Sequence, residues 1–321
     1  MKNMTLARMA EACGGIYYGR EADRDREICS ITTDSRKAEP GCLFAAIKGA
    51  RVDGHDFIPA VFEKGALCVI TEREPDIARA LDVAMASASG ELAGTREEAV
   101  PASGESKETD NWSGNYIKVE STIAALGALA EYYLEQLQIP VVGVTGSVGK
   151  TSTKEMIAAV LSQKYRTLKT AGNFNNELGL PLTIFRLQDE DEIAVLEMGI
   201  SHFGEMHGLA RIAKPDTCVI TNIGQCHLEF LGDRDGVLRA KTEIFDYLRP
   251  DGHIILNGDD DKLETVQSVK GIRPTFFGIG AGNDIYANRI EKKGLDGIQC
   301  RICIESVPSR SDLEWDGRPA A

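Results

Sequence analysis

A glycine-rich turn between an apolar run and a helical pattern constrains this chain more than any other feature. The apolar run covers residues 139–144. Glycines allow successive backbone N–H groups to converge on phosphate oxygens, and the start of a helix adds partial positive charge. The turn and its flanking residues are Thr145, Gly146, Ser147, Val148, Gly149, Lys150, Thr151 and Ser152. We predict that these residues bind the phosphates of ATP, with Lys150 facing the β- and γ-phosphates and Thr151 holding Mg²⁺.

One residue departs from the strict P-loop pattern, which has glycine where this chain has Val144. The alternative is an ordinary glycine-rich turn with an incidental lysine. A strand, the glycine spacing, a Lys-Thr pair and a helix coincide here, which favours phosphate binding. The helix is predicted to be amphipathic, because apolar residues recur at helical spacing at Met156, Ile157, Val160 and Leu161.

Further apolar runs continue the series that residues 139–144 begin. They lie at residues 193–197, 217–222, 253–257 and 275–278, and helical patterns separate them. Strands with near-continuous apolar residues are covered on both faces, which is typical of a parallel sheet. We therefore predict a P-loop-type α/β domain with a doubly wound, mostly parallel sheet over residues 116–321.

A smaller N-terminal α/β domain is predicted over residues 1–115. Its strand-like runs and helical patterns alternate, at residues 28–32, 42–47 and 66–71 and at residues 6–13 and 57–64 respectively. Residues 86–115 have almost no large apolar side chains, so they cannot offset the entropy cost of ordering and are interpreted as a mobile insert or linker. The polar residues 306–321 close no periodic element, which leads us to expect an incomplete second domain.

Composition excludes several classes of function. With 36 basic and 49 acidic residues, the net charge of -13 opposes nonspecific attraction to nucleic acid or anionic lipid. The first residues build no apolar secretory signal, and the most apolar helical stretch, residues 123–134, is too short to span a bilayer. We expect a cytoplasmic protein with no membrane insertion and no nucleic-acid partner.

Eight cysteines, several of them inside apolar runs, are typical of small buried residues in a reducing compartment. Only Cys300 and Cys303 have metal-ligand spacing, and their alternating strand pattern favours a structural role over zinc binding. A second glycine cluster, residues 278–283, precedes an extended pattern rather than a helix, which favours an ordinary loop over a cofactor site.

The glycine-rich turn with Val144 resembles the ATP loop of the Mur ligases and of their folylpolyglutamate synthetase relatives. Segments similar to the uridine-nucleotide domain of the Mur ligases that act on UDP-MurNAc are residues 31–36, 40–44, 46–49 and 53–55. Residues 172–183 most resemble the family member that adds D-alanyl-D-alanine to UDP-MurNAc-tripeptide. The resemblance covers about residues 4–284, apart from the low-complexity segment.

This resemblance implies that ATP phosphorylates a substrate carboxylate and that an amine then displaces phosphate from the acyl phosphate. Because two anions must meet, cations carry much of the catalysis. By resemblance Lys150 is one catalytic cation, and Glu197, His227 and Lys241 join Thr151 as ligands of Mg²⁺ ions. Lys241 matches a lysine that is carbamylated in relatives, a modification that turns a cation into an oxygen-bearing anion.

Each of these residues also has a simpler interpretation. Glu197 ends an apolar strand, where open α/β sheets collect ligand-binding groups, but a carboxylate there could instead cap a helix. His227 taken alone is a plain loop histidine, and Mg²⁺ prefers oxygen ligands. Lys241 taken alone is an exposed helix lysine paired with an acidic neighbour.

The resemblance also assigns the substrates. Ser35 and Arg36 are predicted on the uridine diphosphate side and Asn173 on the muramoyl part, since Arg is a natural partner of phosphate. The leading hypothesis is a monomeric, ATP-dependent ligase of UDP-MurNAc-tripeptide and D-alanyl-D-alanine. The C-terminal domain of such ligases is not recognisable here. The alternatives are a sister ligase that adds a diamino acid to the dipeptide, and an inactive nucleotide-binding fragment or half of a split ligase.

Overall fold

The computed structural model describes residues 1–75, 114–294 and 297–305. The chain divides into two compact units, Met1–Tyr133 and Leu134–Ala321. The division falls inside a helix, Thr122–Leu137, whereas the sequence places a domain boundary at residue 115. The low-complexity residues 86–113 and the polar residues 306–321 lie outside the described residues.

The first unit contains a mixed sheet of five strands within its described residues. The strands are β1 (Ile16–Tyr18), β2 (Ile31–Thr32), β3 (Leu43–Ala45), β4 (Cys68–Thr71) and β5 (Asn115–Lys118). Their spatial order is β1-β5-β4-β3-β2, and the β1–β5 pair is antiparallel. The helices are α1 (Leu6–Ala12) and α2 (Ile58–Glu63). α2 packs on the sheet through Ile58 and Val61, which share an apolar cluster with Phe44, so the predicted small α/β fold is confirmed.

Asn115 joins separate segments of the first unit at the start of β5. Its side-chain oxygen accepts hydrogen bonds from the Tyr17 hydroxyl (2.8 Å) and from Arg20 N (3.0 Å). Its amide donates to Asp23 Oδ2 (3.1 Å) and to Leu67 O (3.0 Å). The prediction that residue 115 belongs to a mobile insert is therefore wrong, because the four residues of β5 include one aliphatic core residue, Ile117, and form no apolar run for a sequence pattern to detect.

The second unit contains a sheet of eight strands within its described residues, in the order β13-β12-β11-β10-β9-β6-β8-β7. The strands are β6 (Val141–Thr145), β7 (Thr167–Lys169), β8 (Ile193–Glu197), β9 (Thr217–Ile220), β10 (His253–Asn257), β11 (Thr275–Gly278), β12 (Ile285–Lys292) and β13 (Ile298–Ile304). The helices are α3 (Thr122–Leu137), which spans both units, α4 (Lys150–Leu161), α5 (Gly179–Ile184), α6 (Glu205–Ala213), α7 (Leu228–Leu231) and α8 (Arg234–Thr242). All strand pairs are parallel except β12–β13.

Local signals set the starts of several helices. The Thr5 hydroxyl accepts from Arg8 N before α1, and Asp233 Oδ1 accepts from Gly236 N before α8. A proline occupies the first turn of α2, where its missing N–H costs no intrahelical bond.

Successive side chains of β6 point to opposite faces of the sheet. Val144 shares an apolar cluster with Ala158 of α4. Gly143 faces the other side, where an added Cβ would lie 3.3 Å from Ile244 Cδ1 of the 3-10 helix Glu243–Tyr247. Both faces are covered, which confirms the predicted doubly wound sheet.

The carboxyl ends of three strands lie side by side, because β6 pairs with β8 on one side and with β9 on the other. The chain passes from β6 to β7 and β8 on one side, and then to β9 on the opposite side of β6. Ligands of open α/β sheets bind in the crevice at such a reversal of strand order. A ligand site is therefore expected at the loops after β6, β8 and β9.

The buried face of α4 differs from the prediction. Met156 and Val160 are 71% and 72% exposed, whereas Ala158 and Lys154 are buried. Positions 154, 157, 158 and 161 also follow helical spacing, and this face packs on the sheet. The apolar pattern misled because one residue of the buried face is a lysine.

The second glycine cluster and the two cysteines with metal-ligand spacing lie in the part of the sheet that β11, β12 and β13 form. Gly278 ends β11, and residues 279–283 form bends and a turn that lead into β12, so the loop interpretation of the second glycine cluster is confirmed. Cys300 and Cys303 lie on β13, in the predicted strand pattern. Across the described ranges, no helix has the length and apolar character needed to cross a membrane.

We expect Asn115→Ala to destabilise the first unit by roughly 2–4 kcal/mol, because it removes four hydrogen bonds, among them the buried one to Leu67 O. The matched variant Tyr17→Phe removes only one hydroxyl from the same network and should cost about 1 kcal/mol. Urea unfolding of both variants measures the difference. Equal stability of Asn115→Ala and the unmodified chain would contradict this account of β5.

Candidate functional site

The residues predicted to bind phosphate, 145–152, comprise the end of β6, the turn 146–149 and the start of α4, and are called the phosphate loop below. Gly146 and Gly149 have φ angles of 145° and 81°, which residues with a side chain rarely adopt. At Gly146 an added Cβ would lie 1.9 Å from Thr221 Oγ1. Gly149 precedes α4 and carries no side chain to cap it, which leaves the first N–H groups of the helix for a ligand.

Hydrogen bonds hold this phosphate loop against the end of β9. Ser147 N donates to Asn222 O (3.0 Å), and Val148 N donates to Asn222 Oδ1 (2.9 Å). Thr221 Oγ1 (2.6 Å) and Asn222 Nδ2 (3.1 Å) both donate to Val148 O. The neighbouring strand thus fixes the shape of the loop.

The side chains of the loop make two further connections. Lys150 Nζ donates to Gly146 O (2.9 Å) and Ser147 O (3.5 Å), so its ammonium lies over the loop. Ser147 Oγ accepts from Gly224 N (2.8 Å) and lies 3.1 Å from Cys226 Sγ. The loop after β9, which carries His227, is thereby held beside the phosphate loop.

A cavity of about 440 Å³ opens at the phosphate loop. Its lining residues are Ser147, Val148, Gly149, Lys150, Thr151, Ser152, Asn173, Asn175 and Glu197. Thr145 and Gly146 lie behind the lining, where Thr145 Oγ1 donates to Met198 O (2.8 Å). The structure therefore brings most of the predicted phosphate-binding residues together with Glu197 and Asn173.

Glu197 ends β8 with its carboxylate buried at the cavity. Asn175 Nδ2 donates to its Oε1 (2.9 Å), and Glu197 N donates to Thr170 Oγ1 (2.9 Å). Its Oε2 is buried and has no hydrogen-bond partner among the described residues. A buried polar atom without a partner is costly, so this oxygen is a candidate ligand for a cation.

Lys241 is buried in α8, with 2% of its surface exposed. The pKa of its amine is lowered to about 8, chiefly because of burial; Cys226 opposes the shift and the charge of Lys150 adds to it. The simpler interpretation of Lys241 as an exposed, paired lysine is therefore wrong. A larger fraction of this amine is neutral at neutral pH than for a lysine in water.

His227 is exposed and has a positive φ of 54° immediately before α7. It does not line the cavity. Cys226, beside it in sequence, contacts Ser147 of the phosphate loop and interacts electrostatically with Lys241. His227 and Lys241 are thus connected to the phosphate loop through Cys226.

Ser35 and Arg36 belong to the first unit, in the 3-10 helix Ser35–Lys37. Arg36 donates from Nε and Nη2 to the two carboxylate oxygens of Asp34, at 2.9 and 2.8 Å, and its side chain is exposed. Hydrogen bonds from Arg36 lower the pKa of Asp34 to about 2. Lys64 Nζ donates to Ser35 O (2.8 Å).

Sequence reasoning missed two residues of this site. Asn175 holds the Glu197 carboxylate, and Lys154 lies 3.8 Å from its Oε2. Asn175 falls in the segment 172–183 that carries the family resemblance, so its polar side chain there was a usable signal. Lys154 gave none, because a lysine on a helix is normally exposed.

Two family models match the chain. The model described as the Mur ligase middle domain matches residues 144–308, more than half of the chain, and the model described as the Mur ligase family, catalytic domain matches residues 27–134. The chain belongs to the Mur ligase family. The first match begins one residue before the phosphate loop and contains Glu197, His227 and Lys241.

Named relatives of this Mur ligase chain include the UDP-N-acetylmuramoyl-tripeptide--D-alanyl-D-alanine ligase of Bacillus subtilis. It is 41% identical over 284 residues, which cover 88% of this chain and 54% of that protein. A crystal structure of MurF from Acinetobacter baumannii is 32% identical with a TM-score of 0.73, over 94% of this chain and 61% of that one. MurF from Thermotoga maritima in complex with ADP is 31% identical with a TM-score of 0.66, over 85% and 57%. The chain spans about half the length of the curated relatives it matches.

We expect Gly146→Ala to destabilise this Mur ligase chain by roughly 2 kcal/mol or more, because of its positive φ and the contact with Thr221 Oγ1. The double variant Gly146→Ala/Thr221→Ala removes that contact and should recover part of the loss. Gly172→Ala is the control for backbone strain alone, since its φ is 50° and an added Cβ meets no atom within 4 Å. Urea unfolding compares the variants. A loss at Gly146 no larger than at Gly172 would contradict the proposed close packing.

Proposed function

We propose that this chain forms the ATP-binding and UDP-substrate-binding parts of a ligase that joins UDP-MurNAc-tripeptide to D-alanyl-D-alanine in peptidoglycan precursor synthesis. The observation that carries the proposal is the cavity in which the phosphate loop, Glu197 and Asn173 meet. Relatives named for this reaction, and a related MurF in complex with ADP, support it.

The phosphate loop would hold the β- and γ-phosphates of ATP. The N–H groups of Ser147 and Val148 are bonded to Asn222, so the uncapped N–H groups at the start of α4 are the ones that can donate to phosphate oxygens. Lys150 would transfer its hydrogen bonds from Gly146 O and Ser147 O to these oxygens. Its charge would then offset the negative charge that develops as the γ-phosphate moves to the substrate carboxylate.

Glu197 and Thr151 would hold Mg²⁺ in this cavity. The residues fit such an ion, because Glu197 Oε2 is a buried oxygen without a partner and Mg²⁺ takes oxygen ligands, often with phosphate oxygens and water. When bound, Mg²⁺ supplies positive charge next to the phosphates. Asn175 would keep the Glu197 carboxylate turned so that Oε2 remains available.

Lys241 would be carbamylated. Its neutral amine can add to carbon dioxide, forming an N–C bond and releasing a proton, and the resulting carbamate offers oxygens to a second Mg²⁺. Burial supports this, because it favours the neutral amine that reacts. His227 would be a further ligand of that ion, beside Cys226.

Ser35 and Arg36 would bind the uridine diphosphate side of UDP-MurNAc. Arg36 uses two of its five N–H donors on Asp34, so three remain for the diphosphate, and Ser35 adds a hydroxyl beside it. Asn173, at the cavity of the second unit, would bind the muramoyl part and bring the stem-peptide carboxylate towards the γ-phosphate. The gain from such positioning can reach roughly 7–11 kcal/mol.

We expect Lys150→Ala to weaken binding of ADP with Mg²⁺ by about 10- to 100-fold, the range for loss of a hydrogen bond to a charged group. Lys169→Ala is the matched control, because Lys169 is an exposed lysine of the same unit that pairs with Glu155 and lies outside the cavity lining. Calorimetric titration measures both. Unchanged affinity in Lys150→Ala would remove the nucleotide assignment.

We expect the whole chain to bind UDP-MurNAc-tripeptide more tightly than UDP-MurNAc-dipeptide, with Arg36→Ala weakening both by about 10-fold and leaving ADP affinity unchanged. Arg26→Ala is the control, since Arg26 also pairs with an aspartate of the first unit. Tighter binding of the dipeptide would favour the sister ligase that adds a diamino acid. Binding of ADP without either UDP-MurNAc peptide would favour an inactive nucleotide-binding fragment.

A further inference from the structure

Lys154 is a buried lysine to which the proposed reaction gives no role. Its side chain is 1% exposed and lies on α4, one turn after Lys150. Its ammonium donates to Thr170 O (2.7 Å) and lies 3.1 Å from Glu155 Oε1 and 3.8 Å from Glu197 Oε2. Lysines are almost never fully buried unless they are paired, so a nearby carboxylate must account for the burial of this charge.

Of the two carboxylates near Lys154, that of Glu197 is buried. Its Oε1 is occupied by Asn175, and its backbone N–H bonds Thr170, the residue whose carbonyl also receives Lys154. The separation of 3.8 Å is an ion-pair distance but is too long for a hydrogen bond. Lys154 therefore balances the charge of Glu197 without occupying Oε2.

Glu155 does not compete for this function. Its side chain is 47% exposed, and it also pairs with Lys169, so its charge is already solvated and shared. Of the two carboxylates beside Lys154, only Glu197 is buried and lines the cavity. The electrostatic effect of Lys154 is therefore strongest at Glu197, where water screens it least.

We propose that Lys154 makes divalent-cation binding at Glu197 depend on a bound nucleotide. A cation at Oε2 comes within a few ångströms of the ammonium, and the two like charges repel each other strongly at a buried site. The phosphates of a nucleotide bring the negative charge that offsets this repulsion. Lys154 is thus a positioning residue that acts through Glu197, and the inference rests on the proposed role of Glu197 as a metal ligand.

This arrangement has a thermodynamic consequence. If the nucleotide raises metal affinity at Glu197 by some factor, the metal raises nucleotide affinity by the same factor. Lys154 weakens the binding of the free ion, so the site fills appreciably only when the nucleotide adds this factor. The chain would then take up metal and nucleotide together and would leave Glu197 free of divalent cations between turnovers.

The test is the binding of Mn²⁺ to the full chain, followed by the electron paramagnetic resonance signal of the free ion, with and without ADP. Lys154→Met keeps the length of the side chain and removes the charge. We expect its affinity for Mn²⁺ without ADP to rise at least tenfold, so that the ion binds without ADP at concentrations at which the unmodified chain requires ADP. Lys154→Arg, which keeps the charge, and Lys169→Met, which removes an exposed charge that also pairs with Glu155, should both behave like the unmodified chain.

Several results would overturn the proposal. An unchanged or lower affinity for free Mn²⁺ in a folded Lys154→Met chain would do so. An equal gain in Mn²⁺ affinity in Lys169→Met would do so as well. If Lys154→Met does not fold, Mn²⁺ binding to the unmodified chain still tests the proposal, because equal Mn²⁺ affinity with and without ADP excludes the proposed dependence. Glu197→Gln separates the two levels of inference. If it leaves ADP-dependent Mn²⁺ binding intact, the metal assignment itself fails, whereas if it abolishes that binding and Lys154→Met has no effect, only the role of Lys154 fails.

Discussion

The hydrogen bonds between the phosphate loop and the end of β9 are the constraint on which the site depends. Thr221 and Asn222 hold Val148 from both its N–H and its carbonyl side, and Thr221 leaves no room for a side chain at Gly146. This contact exists only because β9 returns to the side of β6 opposite β8. The order of the strands therefore determines the geometry of the loop, and the loop sequence alone does not.

Buried charges lie along the same edge of the sheet. Glu197 and Lys154 lie together on the α4 side, and Lys241 lies in α8. Removing such groups from water costs several kcal/mol each unless partners offset the loss, and the pairing here is incomplete because Oε2 of Glu197 has no hydrogen-bond partner among the described residues. The unpaired oxygen therefore carries a free-energy cost that a bound ligand would offset. Strain and unpaired polar groups of this kind are common at functional sites.

The sequence predicted those parts of the fold and site that depend on local pattern. Apolar runs identified β8, β9, β10 and β11, and the glycine spacing identified the phosphate loop. What it missed depends on tertiary contact. β5 is a short strand whose stability comes from bonds to distant residues, and the buried face of α4 includes Lys154, whose burial is explained only by Thr170 and Glu197. Likewise, burial of Lys241 reverses the interpretation that its helical neighbours favour.

Lys150 already donates to two carbonyl oxygens of its own loop. Any phosphate that receives this ammonium therefore exchanges one set of hydrogen bonds for another instead of adding a new set. The free energy that Lys150 contributes to binding is the difference between the two, which is smaller than the strength of the new bonds alone. The carbonyl groups of the loop thus compete with phosphate for the Lys150 ammonium. A substitution that weakened these internal bonds while keeping the charge would tighten the binding of phosphate.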